Sequence, residues 1–240
     1  MTIKSAVVVP DLSLERTWAA QHRSNGTSNT LIAGFDEVGR GALAGNVTVG
    51  CVIVDPITAS ELAGVRDSKL LSQKHREELV EPIKSWARGW GVGHATAIEI
   101  DDYGITVALR LAGHRALRQA TAEKLMPARI LLDGSHDWLS PVIDLFSAGY
   151  DHEYVENCPP VSTVLKGDLK CLSVAAASIL AKVERDHLLS CLDEQFPEYG
   201  WKQNKGYGSG AHRAAIQTLG PTIHHRHSWL SKILSTHEEE

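Results

Sequence analysis

The stretch GFDEVGRGALAGNV, residues 34–47, decides the fold. Residues 31–35 are apolar and predict a short strand that ends at two adjacent acids, Asp36 and Glu37. Residues 46–54, NVTVGCVIV, are rich in β-branched side chains and predict a second strand that is buried on at least one face. The glycine-rich turn between them indicates that the two strands pair as a hairpin-like unit.

Outward from this unit, strands and helices mix along the chain. Ser72 is the predicted N-cap of a helix over residues 72–87, in which Pro82 is expected to cause a kink or a division. Residues 98–125 and 173–191 are also predicted helices, and the other predicted strands cover residues 90–97, 129–133 and 162–165. This order predicts an α/β fold with a mixed central sheet flanked by helices.

Composition bounds the class of protein. The chain has 240 residues, of which 43% are hydrophobic, so it can bury one sizeable core. The net charge of −5 leaves the partner undecided, because a local basic groove is compatible with it. The four cysteines show no zinc-ligand spacing, and no stretch predicts an export signal or a membrane helix. We therefore expect a soluble cytoplasmic protein.

Acids follow three separate apolar segments. Asp36 and Glu37 end the first strand, Asp133 ends the segment ILLD, and Asp168 follows STVLKG. One such acid is more often a turn residue or a helix cap than a functional group. If these strands are neighbours, however, the acids converge on one edge of the sheet. Oxygen ligands suit Mg²⁺ and Mn²⁺, so the set indicates metal-assisted phosphoryl chemistry.

At this point the chain resembles a known family. The blocks GFDEVGRGALAGNV, RDSKLLS, LLDGSHD, LKGDLKCLSVAAASILAKVERD, NKGYGSGAH and HHRHSW occur in the order found in bacterial ribonuclease HII. They extend from about Leu31 to Trp229, nearly the whole chain.

The resemblance implies a ribonuclease H-like fold with a small C-terminal helical lobe. Residues 1–29 are polar, end in the loop-like SNGTSNT and predict a variable extension outside the core; the rest of the chain divides into a catalytic core (30–195) and a C-terminal lobe and tail (196–240). It implies hydrolysis of RNA in RNA–DNA hybrids and incision 5′ to single ribonucleotides in duplex DNA, which leaves 3′-hydroxyl and 5′-phosphate ends. It also implies that two Mn²⁺ or Mg²⁺ ions are held by the four family carboxylates, which match Asp36, Glu37, Asp133 and Asp168.

The resemblance also implies substrate contacts. Gly39, Arg40 and Gly41 match the loop that reads the ribose 2′-hydroxyl, and glycines there allow close backbone approach. Tyr207 matches a tyrosine that stacks on the sugar beyond the scissile bond, although the residue alone would suggest a surface aromatic. Lys69 matches a phosphate contact, and Lys166 and Lys170 flank Asp168.

Several assignments stay open at the level of sequence. The connection over residues 136–160 is longer than in many relatives and adds Asp137, Asp144 and Asp151 as competing acids; Asp133 is preferred because it ends a strand. His224, His225 and His227 favour a structural or phosphate-proximal role over a metal site. Arg185 and Asp186 suggest an ion pair at a helix end, and Ser173 and Ser178 suggest packing.

Two other functions compete with the nuclease. A binding module that has lost catalysis would have no use for four acids facing phosphates. A nucleotide-binding protein would cradle phosphate in the GRGALAG loop, but GxxxxGK[ST] is absent and the adjacent acids would repel the phosphate. Nothing in the sequence requires more than a monomer.

Overall fold

The fold is built on one mixed sheet of five strands. The computed structural model describes residues 9–122, 125–142 and 150–235. The strands lie in the order β3-β2-β1-β4-β5. Their bounds are Ile32–Val38 (β1), Val47–Val54 (β2), Gly89–Ala95 (β3), Arg129–Asp133 (β4) and Val161–Val164 (β5). Every strand predicted from the sequence is present, with ends that differ by a few residues.

The pairing of the strands places three carboxyl ends at one edge. β1 and β2 form the predicted antiparallel hairpin, and β2 pairs with β3 in the same manner. β1, β4 and β5 are parallel neighbours, with Phe35 opposite Leu132 and Asp133 opposite Val164. The segments that follow these three strands therefore leave the sheet side by side.

Helices cover both faces of the sheet. Within the described residues, seven helices are present: Ser13–Ser24 (α1), Gln73–Trp86 (α2), Ala97–Ala120 (α3), Leu172–Gln195 (α4), Trp201–Asn204 (α5), Gly210–Leu219 (α6) and Ser231–Leu234 (α7). α3 packs on the face that carries Phe35 and Val49, and α2 and α4 pack on the face of Val52 and Val54. Strand side chains alternate between the faces, so both sides of β2 are buried.

The helix predictions succeed with two differences. Ser72 caps α2 through its hydroxyl, as expected, but Pro82 lies inside this helix without dividing it. α3 carries a kink instead: Gly104 has a left-handed φ of 78° within the span predicted as helix.

Contact between α4 and the sheet is unusually close. A Cβ atom on Gly34 or Gly50 would overlap the backbone of α4 at Ser173 or Ala177. The small residues at the start of α4 permit this approach, which confirms the packing expected from its sequence. The position of α4 relative to β1 and β2 is thereby fixed by backbone contact.

The N-terminal segment contributes to the core, contrary to the expectation of an external extension over residues 1–29. Leu12 and Ala19 are fully buried. Glu15 is also buried, and its Oε1 accepts hydrogen bonds from the backbone N–H (2.9 Å) and hydroxyl (2.7 Å) of Ser173 in α4. α1 therefore supplies a carboxylate cap to the first turn of α4, which has no cap of its own. The other domain boundaries stay predictions.

A smaller cluster of buried side chains forms the predicted helical C-terminal lobe. Its members come from the end of α4, the loop after β1 and α5 to α7, and are Ala44, Leu189, Tyr199, Trp201, Ile216, Leu230 and Ile233. The lobe therefore packs on the GRGALAG loop. Among the described residues, no helix combines the length and apolar character that crossing a membrane demands.

The connection between β4 and β5 is anchored to α3. Trp138 and Leu139 are buried in the core beside α3. His114 of α3 contacts the carbonyl of Leu139 (3.1 Å) and accepts the N–H of Val155 (2.9 Å). Residues 143–149, including the competing acid Asp144, lie outside the described residues.

Candidate active site

Four acids meet at the edge where the parallel strands end. Asp36 and Glu37 lie near the end of β1, Asp133 is the last residue of β4, and Asp168 lies on a 3₁₀ turn, Gly167–Leu169, that follows β5. This juxtaposition was expected from the sequence if the strands were neighbours, and the strand order brings it about. Asp137, a competing acid, instead caps the backbone of Leu139 and Ser140.

Backbone groups hold the acids in place. Asp36 is 8% exposed, and its Oδ1 accepts the N–H of Glu37 at 2.8 Å. Asp133 Oδ1 accepts the N–H of Gly167 at 2.6 Å, which fixes the turn that carries Asp168. The residue before that turn, Lys166, adopts a left-handed φ of 55°. Asp133 therefore links the ends of β4 and β5.

Burial and neighbouring charges raise the pKa of Asp36, Glu37 and Asp168. Burial, followed by the charges of Asp133, Glu37 and Asp168, raises the pKa of Asp36 well above its ordinary value, and only the hydroxyl of Ser178 opposes the shift. Burial and the charge of Asp133 also raise the pKa of Asp168. Burial raises the pKa of Glu37, and Arg40 opposes that shift. The site concentrates more negative charge than its neighbours neutralise.

The chemistry of this site fits a divalent cation. All four candidate donors are carboxylates, and oxygen is the donor that Mg²⁺ and Mn²⁺ prefer. Asp36 forms no ion pair with a described lysine or arginine, so its buried charge requires another partner. No three acids, histidines or cysteines of the described chain converge on one point as a ready-made ion site. Asp36 and Asp133 each accept a hydrogen bond from a different backbone N–H group. The case for a bound divalent cation therefore rests on the negative charge of the acids and on their oxygen donors.

Lys69 reaches the cluster from a different element. It lies on the 3₁₀ turn Ser68–Leu70, which Asp67 caps, and its Nζ is 3.5 Å from Oδ2 of Asp168. Its side chain is 76% exposed, so the ammonium group faces both the acids and solvent. Burial alone would lower the pKa of Lys69, but Asp67, Asp168 and Asp36 raise it. Lys166 and Lys170 are also exposed.

A buried arginine, Arg226, holds the loop that begins at Gly39 through hydrogen bonds to its carbonyl oxygens. Arg226 donates to the carbonyl oxygens of Gly39 (2.7 Å), Arg40 (2.8 Å) and Gly45 (3.1 Å). In a trans peptide the C=O and the following N–H point in opposite directions. The N–H groups of Arg40 and Gly41 therefore face away from Arg226, and no described residue accepts a hydrogen bond from them.

A second buried arginine supports the same loop. Arg185 donates to the carbonyls of Asn46 (2.8 Å), Ala44 (3.2 Å) and Lys205 (2.9 Å). It is not the helix-end partner of Asp186 that the sequence suggested. Asp186 instead contacts three other cations, which are Lys182 (2.5 Å), Arg76 (3.6 Å) and Lys205 (4.0 Å).

Tyr207 adjoins this loop. The carbonyl of Gly206 accepts the N–H groups of Leu43 (2.8 Å) and Ala44 (3.1 Å), which joins the turn before Tyr207 to the loop. The Tyr207 side chain is 42% exposed, and its ring centroid is 5.8 Å from the guanidinium carbon of Arg185. The structure thus brings the predicted loop and the predicted tyrosine together.

The histidines near the C-terminus pack and form hydrogen bonds, in agreement with the structural role favoured above. His225 is fully buried, His224 lies edge-on to Phe196 and Trp201, and His227 contacts the carbonyl of Thr222 at 3.0 Å.

Three residues of the site were missed in the sequence. Arg185 and Arg226 support the loop, and Ser178, assigned to packing, places its hydroxyl beside Asp36 and 2.7 Å from the hydroxyl of Ser68. Their only sequence signal is their place in the VERD, HHRHSW and AAAS blocks.

Solved structures define the class of this protein. The crystal structure of ribonuclease H2 from Pyrococcus horikoshii is similar, with a TM-score of 0.61 and 26% identity, over 88% of this chain and all of that one. The ribonuclease HII in a PCNA complex from Archaeoglobus fulgidus has the same TM-score and 27% identity, over 83% of this chain and 95% of that one. A ribonuclease HIII in complex with Mn²⁺ shares the fold at 20% identity, with a TM-score of 0.61, over 88% of this chain and 71% of that one. The fold is therefore that of the ribonuclease H class.

Sequence comparison narrows this class to one family. The family model described as Ribonuclease HII matches residues 33–232. Ribonuclease HII of Paracoccus denitrificans is 42% identical over 95% of this chain and 97% of the relative. That of Streptomyces coelicolor is 42% identical over 85% of this chain and 78% of the relative. The chain belongs to the ribonuclease HII family and is an endoribonuclease that hydrolyses the RNA strand of RNA–DNA hybrids.

Proposed function

We propose that this endoribonuclease also incises duplex DNA on the 5′ side of a single embedded ribonucleotide, with two Mn²⁺ or Mg²⁺ ions held by Asp36, Glu37, Asp133 and Asp168. The products carry 3′-hydroxyl and 5′-phosphate ends. The observation that carries the metal assignment is the buried, uncompensated charge of Asp36 among the other three acids. The Mn²⁺ complex of the ribonuclease HIII relative supports it.

The carboxylates have one role in common. When bound, paired divalent cations supply an activated water and stabilise the leaving oxygen of the phosphodiester. Asp36 feels the charges of the other three acids, and it is the proposed bridging ligand. Asp133 positions the turn that carries Asp168, so these two acids reach the scissile phosphate as a unit.

The neighbouring cations orient the nucleic acid. Lys69 is exposed beside Asp168, where its ammonium group would contact a phosphate. Arg40 is exposed on the loop. The outward N–H groups of Arg40 and Gly41 are free to bond the ribose 2′-hydroxyl, which distinguishes RNA from DNA. Tyr207 would stack on the adjacent sugar. All of these residues belong to one chain, so the proposal requires no second subunit.

Replacing Asp36 by Asn tests the metal assignment. The amide has nearly the same shape but no charge, so we expect cleavage of a duplex with one embedded ribonucleotide to fall by at least about a hundredfold. Asp55→Asn is the matched control, because Asp55 follows β2 at the opposite edge of the sheet. Wild type and control should gain thermal stability as MnCl₂ is added, and the Asp36 variant should gain less. Comparable turnover by D36N would reject the assignment.

Replacing Tyr207 by Ala tests substrate reading. We expect strong impairment of single-ribonucleotide incision, measured as kcat/KM beside cleavage of a long hybrid. Normal incision by Y207A would remove Tyr207 from the proposal and leave the carboxylates untouched.

A further inference from the structure

We propose that His212 is a positioning residue for Tyr207: the Nδ1–H of its buried ring holds the Tyr207 carbonyl, and Trp201 and His225 fix the ring in the tautomer that can do so. This inference rests on the role of Tyr207 given under the proposed function.

The partners of His225 determine where its proton lies. Its Nδ1 is 2.9 Å from the backbone N–H of Thr222, which can only donate. Nδ1 of His225 is therefore an acceptor, and the proton of the neutral ring is on Nε2. That Nε2 is 3.1 Å from Nε2 of His212, to which it donates.

The partners of His212 then follow without choice. The indole Nε1–H of Trp201, which is donor only, lies 3.0 Å from the same Nε2 of His212. The single lone pair of this nitrogen is shared between both donors in a three-centre hydrogen bond, so the proton of His212 is on Nδ1. Nδ1 faces the carbonyl oxygen of Tyr207 at 2.9 Å and donates to it. A rotated His212 ring would place carbon atoms opposite these partners, and a protonated ring would set its Nε2–H against the N–H of Trp201.

Burial keeps this network neutral. Both imidazole rings are completely inaccessible to solvent. Burial lowers the pKa of His212, and burial with the charge of His212 lowers the pKa of His225 to about 4. Each ring therefore stays in one neutral form near pH 7, as the hydrogen-bond pattern requires.

The network ends on the residue proposed to read the sugar. The Tyr207 carbonyl accepts a second hydrogen bond, from the N–H of Ser209 (2.8 Å), and the Tyr207 N–H donates to Asn204 (2.9 Å). These bonds fix the backbone, while the ring extends 42% exposed toward solvent. The Tyr207 hydroxyl has no hydrogen-bond partner in the described chain, so the position of the ring depends on these backbone bonds and on its contact with Arg185.

Two substitutions separate positioning from stability. In His212→Asn the amide NH₂ takes the place of Nδ1 and still donates to Tyr207, but Trp201 and His225 lose their acceptor. In His212→Gln the amide oxygen takes the place of Nε2 and accepts from Trp201, but the donor to Tyr207 is lost. We therefore expect H212Q to be the more stable variant and H212N to be the variant that better holds the Tyr207 carbonyl.

The experiment measures kcat/KM on a duplex with a single ribonucleotide, together with Tm, for H212N, H212Q, Y207A and Y207A/H212Q. We expect H212Q to lose about tenfold in kcat/KM, which corresponds to the free energy of one hydrogen bond. This loss should occur although H212Q has a higher Tm than H212N. H212N should cleave better than H212Q. In the Y207A background the H212Q change should have little further effect, because there is no side chain left to position.

Three outcomes would overturn the proposal: activity that follows Tm across the two variants, wild-type cleavage by H212Q, or an undiminished H212Q effect in the Y207A background. Each of these leaves the role of Tyr207 intact if Y207A itself is impaired. Normal cleavage by Y207A would instead remove that role, and this proposal with it.

Discussion

Gly39 and Gly41 flank Arg40, but replacing each of them with alanine should affect the stability of the protein differently. Gly39 has a left-handed φ of 85°, and a Cβ atom there would overlap the guanidinium of Arg185. Gly41 has no such φ and no atom within 4 Å of the added Cβ. Gly41→Ala is therefore the matched control for Gly39→Ala.

The magnitude for Gly39→Ala follows from two contributions. A left-handed conformation costs an alanine about 1–2 kcal/mol. The overlap forces Arg185 to shift, and losing even one hydrogen bond of this charged group costs about 1.5–3 kcal/mol. The sum is about 2.5–5 kcal/mol of the free energy of unfolding, or roughly 5–20 °C in Tm for a chain of this size. Gly41→Ala should stay within about 0.5 kcal/mol of wild type.

Chemical denaturation of both variants measures the difference, and the cleavage assay adds a second readout. G41A should keep its stability but lose single-ribonucleotide incision, because the new methyl group stands on the side proposed to face the ribose. Equal stability of G39A and G41A would refute the account of Arg185 as a support for the loop.

Three further results are expected. Glu15→Ala removes both hydrogen bonds to Ser173 and should lower the free energy of unfolding by about 2 kcal/mol, measured by urea denaturation; no loss would mean that α1 does not cap α4. Burial lowers the pKa of His114 and of His225 to about 4, so each histidine favours the folded state above pH 6.5. As the pH falls toward 4, the free energy of unfolding should decrease by roughly 3 kcal/mol for each histidine. A free energy of unfolding that does not change between pH 6.5 and 4 would contradict this expectation. Lys69→Met should raise KM for the duplex several-fold and weaken the dependence of KM on salt concentration. The same dependence of KM on salt in K69M and wild type would count against a phosphate contact.

The strands and the acid-bearing edge could be predicted from the sequence for a physical reason. Apolar runs that end in an acid and a turn are local signals, and parallel neighbours bring their carboxyl ends together. Asp36, Asp133 and Asp168 were thus expected side by side, and the strand order places them so. Their role as metal ligands stays a prediction.

Long-range support could not be predicted. Arg185 and Asp186 are adjacent in sequence, which suggested a pair, but consecutive side chains on a helix point in different directions. The carbonyls that Arg226 contacts lie more than 180 residues earlier in the chain. No local pattern reports such a contact.

The N-terminal helix was missed for a similar reason. Its residues are polar on average, so its sequence looks like a solvated extension even though Leu14, Trp18 and Ala19 pack inward. The kink in α3 depends on a single left-handed glycine, Gly104, in a span whose spacing is otherwise helical.

Helix α4 connects two parts of the candidate active site at a fixed distance. It begins just after the turn of Asp168, passes Asp36 at Ser178, and reaches the loop after β1 at Arg185. From Leu172 to Arg185 the helix rises about 20 Å. One helix, fixed to the sheet by close backbone contact, therefore sets the distance between the four acids and the loop proposed to read the ribose. Inserting a single residue between Ser178 and Arg185 would turn the arginine by about 100° and disconnect the two parts, although every side chain of both would still be present.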